Sequence, residues 1–257
     1  MPADPTHTGS RTTARQRIEA RRAAEAAALA GAQRRRRTMI GGVAAAVAVL
    51  VVLVVVVVVQ SQRTATSAQA GTPANTVADG TAVRIGQADA PVTVTVYEDF
   101  LCPACKSFEG TSGDTLAALV ADGTAAVEYR PVAILDHYST DAYSTRALNA
   151  AGVVADAAGP EAFLAFHDLL FAHQPTEGGA GLPDDELIAL AVRTGATGAE
   201  IESGIRDLVY ADWTRRVTDD ASRNGLTGTP TILVDGDVLE TRSPQGLEAA
   251  VRDAAAA

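Results

Sequence analysis

The chain has 257 residues, of which 47% are hydrophobic, and a formal net charge of −10. It is long enough for one domain with a proper core, and its acidity argues against a nucleic-acid partner. The charge is unevenly distributed, because residues 1–38 carry nine arginines against three acids and the rest sums to −16. Only two cysteines occur, which excludes a disulfide-rich scaffold and a four-cysteine metal site.

An uncharged, valine-rich segment at 39–59 follows the basic region 1–38. As a helix it would be about 31 Å long, close to the hydrocarbon thickness of a bilayer. We therefore predict one transmembrane helix, and an uncleaved one, because the apolar run is longer than a signal-peptide core. Four arginines, 34–37, directly precede it. They predict a cytoplasmic N-terminus and a cell-membrane protein whose C-terminal domain is extracytoplasmic.

Small polar residues dominate 60–80 and predict a flexible linker, followed by a folded domain at 81–257. At the start of this domain, 91–100 alternates valine, threonine and aromatic residues, which is typical of a strand. The two cysteines follow at once, and the next segment has a broken helical pattern with Gly110 and Gly113 expected to distort it. A second strand is predicted at 125–135, which completes a βαβ unit with the cysteines at the N-terminus of its helix.

The next predicted unit is a helical block at about 137–224. Its helices are expected to begin at a Ser139 cap, at Pro160 and at Pro183, the last one ending near Gly195. Thr197 and Glu200 resemble a capping box that would open one long helix reaching Asn224-Gly225.

Two short strands around the turn Asp235-Gly236 predict a β-hairpin near the end of the chain. A final helix should follow, with Ser243 as its cap and Pro244 at its first position. The order is strand-helix-strand, a helical block, then two strands and a helix. This order predicts an α/β fold with a central sheet.

The cysteine pair Cys102 and Cys105 has three possible uses. A structural disulfide is disfavoured, because a two-residue spacer closes almost no loop. A metal site lacks a second cysteine pair, and His167 lies among apolar residues where a core histidine is expected rather than a ligand. A redox pair fits best, because unpaired N–H groups at a helix N-terminus stabilise a thiolate. We expect Cys102 to be the ionised, exposed sulfur and Cys105 to be shielded.

The stretch YEDFLCPACKSF, followed by GTPTILVDG more than a hundred residues later, resembles the DsbA-like branch of the thioredoxin superfamily in its membrane-anchored bacterial form. The resemblance covers about 83–257. It implies a thioredoxin-like fold with the inserted helical block, preceded here by the transmembrane helix. It also implies a cis Pro230 beside the cysteine pair, with the backbone of Thr229 offered to a substrate strand, and no cofactor.

Several residues around the pair are supporting candidates. Pro103 fits the first helical turn, and Ala104 replaces the histidine of strongly oxidising relatives, so the disulfide is expected to be less oxidising. Lys106 either stabilises the thiolate or is simply exposed. The buried acid that some relatives carry six positions before the first cysteine is replaced here by Val96.

Two acids lie nearer the pair. Asp99 is either a proton acceptor or the end of a strand in solvent, and for Glu98 we favour the solvent-exposed interpretation.

The residues and the resemblance together predict a thiol-disulfide oxidoreductase that forms disulfides in exported cysteine-containing proteins. The resemblance implies reoxidation by a quinone-linked membrane partner. Two alternatives stay open: a disulfide reductase or isomerase kept reduced by a membrane donor, and a non-catalytic thioredoxin-like binding module. The reduction potential separates the first two, and the rate of attack on a small disulfide separates both from the third.

Overall fold

The computed structural model of the protein describes residues 71–256. The predicted basic region, the predicted membrane span 39–59 and the first part of the predicted linker lie outside these residues. Within 71–256, no helix combines the length and the apolar character needed to cross a bilayer.

A five-stranded mixed sheet forms the centre of the described region, and helices pack against it. The strands are β1 (Val83–Ile85), β2 (Val92–Glu98), β3 (Ala125–Pro131), β4 (Thr231–Val234) and β5 (Asp237–Val238). The helices are α1 (Pro103–Ala121), α2 (Tyr143–Ala172), α3 (Asp184–Arg193), α4 (Ala199–Arg206), α5 (Ala211–Arg223) and α6 (Pro244–Ala255), with a 3₁₀ turn at Asp136–Tyr138.

The strands lie in the order β1-β3-β2-β4-β5, so β2 is central. It runs parallel to β3 and antiparallel to β4, and Val94 is paired with Val127 on one side and Val234 on the other. Because parallel neighbours need a crossover, α1 connects β2 to β3 and begins where β2 ends. The predicted thioredoxin-like α/β arrangement with a helical block between β3 and β4 is confirmed, although the three-residue β1 had not been predicted.

Several predicted boundaries agree with the structure. The backbone is non-helical at Gly159, where φ is 85°, so a helical segment restarts at Pro160 inside α2. Pro183 precedes α3, and β4 and β5 form the predicted hairpin around Asp235-Gly236. Ser243 caps α6 by accepting a hydrogen bond from the backbone N–H of Gly246. In each case a local signal, a proline, a glycine turn or a capping hydroxyl, is enough to set the boundary.

The predicted distortion of the first helix was wrong, because α1 runs without interruption through Gly110 and Gly113. Glycine in a helix costs only about 1 kcal/mol relative to alanine. This helix buries Phe108, Ser112 and Leu116, and such packing outweighs that cost.

The predicted long helix after residue 197 was also wrong. Gly198, not Thr197, is the residue before α4, and a glycine has no side chain that could cap the helix. The predicted helix is interrupted between α4 and α5, where the backbone of Leu208 has a left-handed φ of 51°. The backbone N–H of Tyr210 donates there to Asn149 Oδ1 on α2 (2.8 Å), so a bond between distant segments replaces a helical one.

The linker boundary at residue 80 was placed too late. Trp213 Nε1 donates to the carbonyl oxygen of Gly80 (2.7 Å), and the backbone N–H of Ala74 donates to Asp156 Oδ1 (2.6 Å). Residues 72–80 are thus attached to α2 and α5. The sequence of this segment shows no periodic pattern of apolar residues, because backbone groups and single side chains make its contacts with the helices.

Candidate active site

The two cysteines lie where β2 passes into α1. Cys102 is the residue before the helix, with an extended backbone, and Pro103 occupies the first helical position. The backbone N–H of Cys102 donates to the Asp99 carbonyl (2.9 Å), and its own carbonyl accepts from the N–H of Lys106 (3.2 Å). Cys102 is 6% exposed and Cys105 is fully buried. Cys102 is therefore the more accessible sulfur, as predicted, but much less exposed than expected.

The two thiols have opposite pKa shifts. The pKa of Cys102 is lowered from 9.0 to about 5, and the hydrogen bond from the Cys105 thiol is the largest cause. Burial opposes this lowering. Hydrogen bonds from Thr229 and from the N–H groups of Cys105 and Ala104 add to it. Burial, followed by the hydrogen bond to Cys102 and the charge of Glu98, raises the pKa of Cys105 far above its ordinary value. In the reduced pair, Cys102 is therefore the cysteine that ionises more readily, and Cys105 is the one that keeps its proton.

Thr229 and Pro230 lie at the cysteine pair although more than a hundred residues separate them in sequence. The bond between them is cis, as the resemblance implied. The Sγ atom of Cys102 is 3.4 Å from the Thr229 carbonyl oxygen and can donate to it as a thiol. Contact with a substrate strand through Thr229 stays a prediction.

Asp99 is fully buried, so the alternative that it ends a strand in solvent was wrong. Its carboxylate accepts from the N–H of Leu101 (2.9 Å), the N–H of Leu135 (3.0 Å) and the hydroxyl of Ser144 (2.6 Å). Burial raises the pKa of Asp99 to about 6, against the lowering effect of these bonds. Asp99 thus fastens the turn that carries Cys102 to the segment after β3 and to α2.

Glu98 is also fully buried, so its predicted solvent exposure was wrong. Its Oε1 atom lies 2.6 Å from Nε2 of His167, which is buried as expected for a core histidine. Glu109 lies four residues after Cys105 and therefore on the same face of α1. Together with Glu98 and His167 it forms a cluster of three titratable side chains. Burial and the Glu98 charge raise the pKa of Glu109 to about 8. This helical spacing could have identified Glu109 from the sequence, but it was missed.

Two further side chains complete the surroundings of Cys102. Lys106 is exposed, and the causes that lower the Cys102 pKa are hydrogen bonds from Cys105, Thr229 and Ala104, which favours the interpretation of Lys106 as a surface residue. Gln174 was not predicted. Its Nε2 donates to the carbonyls of Phe100 and Cys102, both at 3.0 Å. No local signal marks it, because it lies 72 residues away, just after α2.

A shielded thiol one helical turn from an ionised thiol is the arrangement needed for thiol-disulfide exchange. With the sheet order and the helical block, it defines the class of protein: a thiol-disulfide oxidoreductase of the DsbA-like branch of the thioredoxin superfamily. The thioredoxin family model matches residues 78–253, and the chain belongs to this family.

Solved structures agree with this assignment. The reduced disulfide bond oxidoreductase DsbG from Mycobacterium tuberculosis is 34% identical with a TM-score of 0.60, over 73% of this chain and 90% of that one. Reduced DsbA from the same organism is 35% identical with a TM-score of 0.59, over 69% of this chain and 98% of that one. BdbD from Bacillus subtilis, at 22% identity and a TM-score of 0.60, shares the fold and covers 73% of this chain and 98% of its own.

A similar region occurs within a longer curated protein. The serine/threonine-protein kinase PknE of Mycobacterium tuberculosis is 36% identical over 118 residues, which is 44% of this chain but only 21% of the kinase.

Proposed function

We propose that this chain is a membrane-tethered oxidase that introduces disulfides into exported proteins through Cys102 and Cys105. The single observation that carries the direction of the reaction is the position of Cys102 at the N-terminus of α1, where the Cys105 thiol and the first N–H groups can donate to its sulfur and lower its pKa. A stable thiolate stabilises the reduced pair, and a disulfide whose reduced form is stabilised is a strong oxidant.

In the proposed reaction, a substrate thiolate attacks Cys102 Sγ of the oxidised enzyme and breaks the Cys102–Cys105 bond. A mixed disulfide forms, and the sulfur of Cys105 takes up a proton because its pKa is high. A second substrate thiolate then attacks the substrate sulfur, and Cys102 leaves as a thiolate. The substrate has lost two electrons and the enzyme pair has gained them, so a quinone-linked membrane partner must remove them before the next cycle.

Substrate would be held by the backbone of Thr229, next to Pro230. Its carbonyl is within 3.4 Å of Cys102 Sγ, so an extended peptide paired there would bring a cysteine within reach. Cys102 as a residue is only 6% exposed, which favours attack by an unfolded or flexible segment over attack by a rigid surface.

The decisive experiment is the equilibrium of the pair with glutathione buffers, combined with the rate at which the oxidised protein oxidises a dithiol peptide. An oxidase gives a high potential and rapid peptide oxidation. A reductase would give a potential near that of thioredoxin, about −270 mV, whereas an isomerase would be recognised by its ability to reactivate a substrate with scrambled disulfides. A non-catalytic module would give negligible exchange with either reagent.

Membrane tethering is proposed from the uncharged segment 39–59 and the preceding arginines. A reporter that is active only outside the cytoplasm should work when fused after Ala257 and be silent when fused before Arg34. The reverse pattern would place the domain in the cytoplasm.

A further inference from the structure

A polar cluster is buried behind the cysteine pair, at the meeting point of three elements. Glu98 comes from the end of β2, Glu109 from α1 and His167 from α2. Each offers one atom of a type that binds metals, and these atoms all lie within 4.8 Å of one another. The side chains of Glu98 and His167 are both 0% exposed, whereas Glu109 is only partly buried.

The cluster contains more acceptors than donors. Glu98 Oε1 is 2.6 Å from His167 Nε2, but Glu98 Oε2 and Glu109 Oε1 are buried and have no hydrogen-bond partner in the part of the chain that the structure describes. Burying a carboxylate oxygen that has no hydrogen-bond partner costs more free energy than burying an unpartnered neutral polar group. Two such oxygens in one buried cluster leave acceptor atoms that a bound cation could use.

The imidazole of His167 is oriented by Asp168, which lies on the opposite side of the ring from Glu98. Its Nδ1 is 2.9 Å from Oδ1 of Asp168, whose side chain is 66% exposed. If Nδ1 carries the hydrogen and donates it to Asp168, Nε2 is left facing Glu98 with a lone pair. Either a proton or a cation must then lie between Nε2 and the carboxylates. A histidine that donates its other nitrogen to a carboxylate is the usual arrangement in metal sites.

A cavity of about 560 Å³ leads to the cluster. Glu109 and Asp168 both line it, together with apolar side chains such as Leu116, Tyr129 and Phe171. The cavity provides an entry path and enough room for water ligands beside the three protein ligands.

We propose that Glu98, Glu109 and His167 bind one divalent first-row transition-metal cation, with Zn²⁺ as the representative ion. Asp168 positions His167, and water from the cavity completes the coordination. Two carboxylate oxygens and one imidazole nitrogen are suitable ligands for Zn²⁺, Co²⁺ or Mn²⁺, whereas an imidazole disfavours Mg²⁺ and Ca²⁺. The site does not use the cysteine thiolates, so this proposal does not rest on the oxidase function proposed above.

The test uses the full chain with Cys102 and Cys105 in the disulfide form, so that thiolates cannot bind the metal. Zn²⁺ is titrated by calorimetry, and Co²⁺ by visible absorption, which distinguishes oxygen and nitrogen ligands from sulfur. We expect one saturable site per chain, with Co²⁺ d–d bands and no sulfur charge-transfer band.

Variants locate the site. Glu109→Gln and His167→Asn should each weaken Zn²⁺ binding at least 10-fold, and Asp168→Asn should weaken it by the 10- to 100-fold typical of a positioning carboxylate. Glu161→Gln is the matched control, because Glu161 lines the same cavity but does not belong to the cluster, and it should bind normally. Circular dichroism checks the fold of each variant. Glu109, which is only partly buried, is the decisive position if a core variant does not fold.

Three outcomes would overturn the proposal. The first is absence of saturable binding to the oxidised chain, which would mean that protons alone compensate the cluster. The second is binding that Glu109→Gln and His167→Asn leave unchanged. The third is a Co²⁺ spectrum with sulfur bands that disappears in Cys102→Ser, which would place the metal on the cysteine pair.

Discussion

The Sγ atom of Cys102 lies 3.4 Å from the carbonyl oxygen of Thr229, a residue 127 positions later in the chain. This contact joins the two segments that matter for exchange: the start of α1, which holds the reactive sulfur, and the segment before β4, whose backbone can receive a substrate. The thiol bonds to the Thr229 carbonyl, whereas the thiolate is stabilised by the Cys105 thiol and by N–H groups at the start of the helix.

Alkylation of the reduced protein should show an ionisation of Cys102 near pH 5. The rate constant should rise as pH increases through about 5 and then level off, because the thiolate is the nucleophile. Cys105 should stay unlabelled at neutral pH, because burial raises its pKa. Labelling followed by peptide mapping checks this, and equal labelling of both cysteines at pH 6 would contradict it.

The Cys105→Ala variant should have a higher Cys102 pKa than the native protein. The thiol of Cys105 makes the largest contribution to stabilising the Cys102 thiolate, and alanine removes it. The alkylation profile of Cys102 should therefore shift from about 5 toward the ordinary value of 9.0. Lys106→Ala, which changes an exposed charge, is the control and should shift the profile much less. A larger shift in the lysine variant would assign the low pKa to that charge.

The same Cys105→Ala variant should accumulate mixed disulfides with substrate proteins through Cys102, because the thiol that could reverse the attack is absent. Cys102→Ala should accumulate almost none, since its remaining sulfur is fully buried. Non-reducing electrophoresis with and without a reductant measures both. Trapping by the Cys102→Ala variant would reverse the assignment of nucleophile and resolving cysteine.

The reduction potential should lie above that of thioredoxin, between about −120 and −200 mV. The low Cys102 pKa raises it, whereas Ala104 in place of histidine is expected to keep it below the most oxidising relatives. Restoring the polar residue with Ala104→His should make the potential less negative. A potential near −270 mV would favour the reductase alternative.

Asp99→Ala should destabilise the fold by about 2–4 kcal/mol, because the buried N–H group of Leu101 and the partly buried N–H group of Leu135 both lose their acceptor. Urea unfolding of the reduced protein measures the loss. Asp122→Ala is a matched control. It also removes a carboxylate that accepts a backbone N–H, from Thr124, but at an exposed turn where water can replace it. Equal losses in the two variants would show that burial of Asp99 is not the source of its effect.

Much of the fold could be predicted from local signals. Alternating β-branched residues predicted β2, and prolines, a glycine turn and a capping serine predicted the boundaries of α3, the hairpin and α6. Predictions failed where a distant segment competes with local preference. Gly110 and Gly113 remain helical because α1 packs on the core, and the helix predicted after Thr197 breaks because Asn149 bonds to the N–H of Tyr210.

The sequence by itself determined that this is a thioredoxin-like redox protein, because the cysteines and the helix N-terminus that activates them are adjacent in the chain. Burial is a property of tertiary packing, and only the structure could decide it. Glu98 and Asp99 follow a strand and were compatible with solvent, but both are fully buried. Their partners His167 and Ser144 come from α2, and Gln174 follows it. No local pattern relates these residues to the cysteines, because only the packing of α2 beside β2 and α1 brings them together.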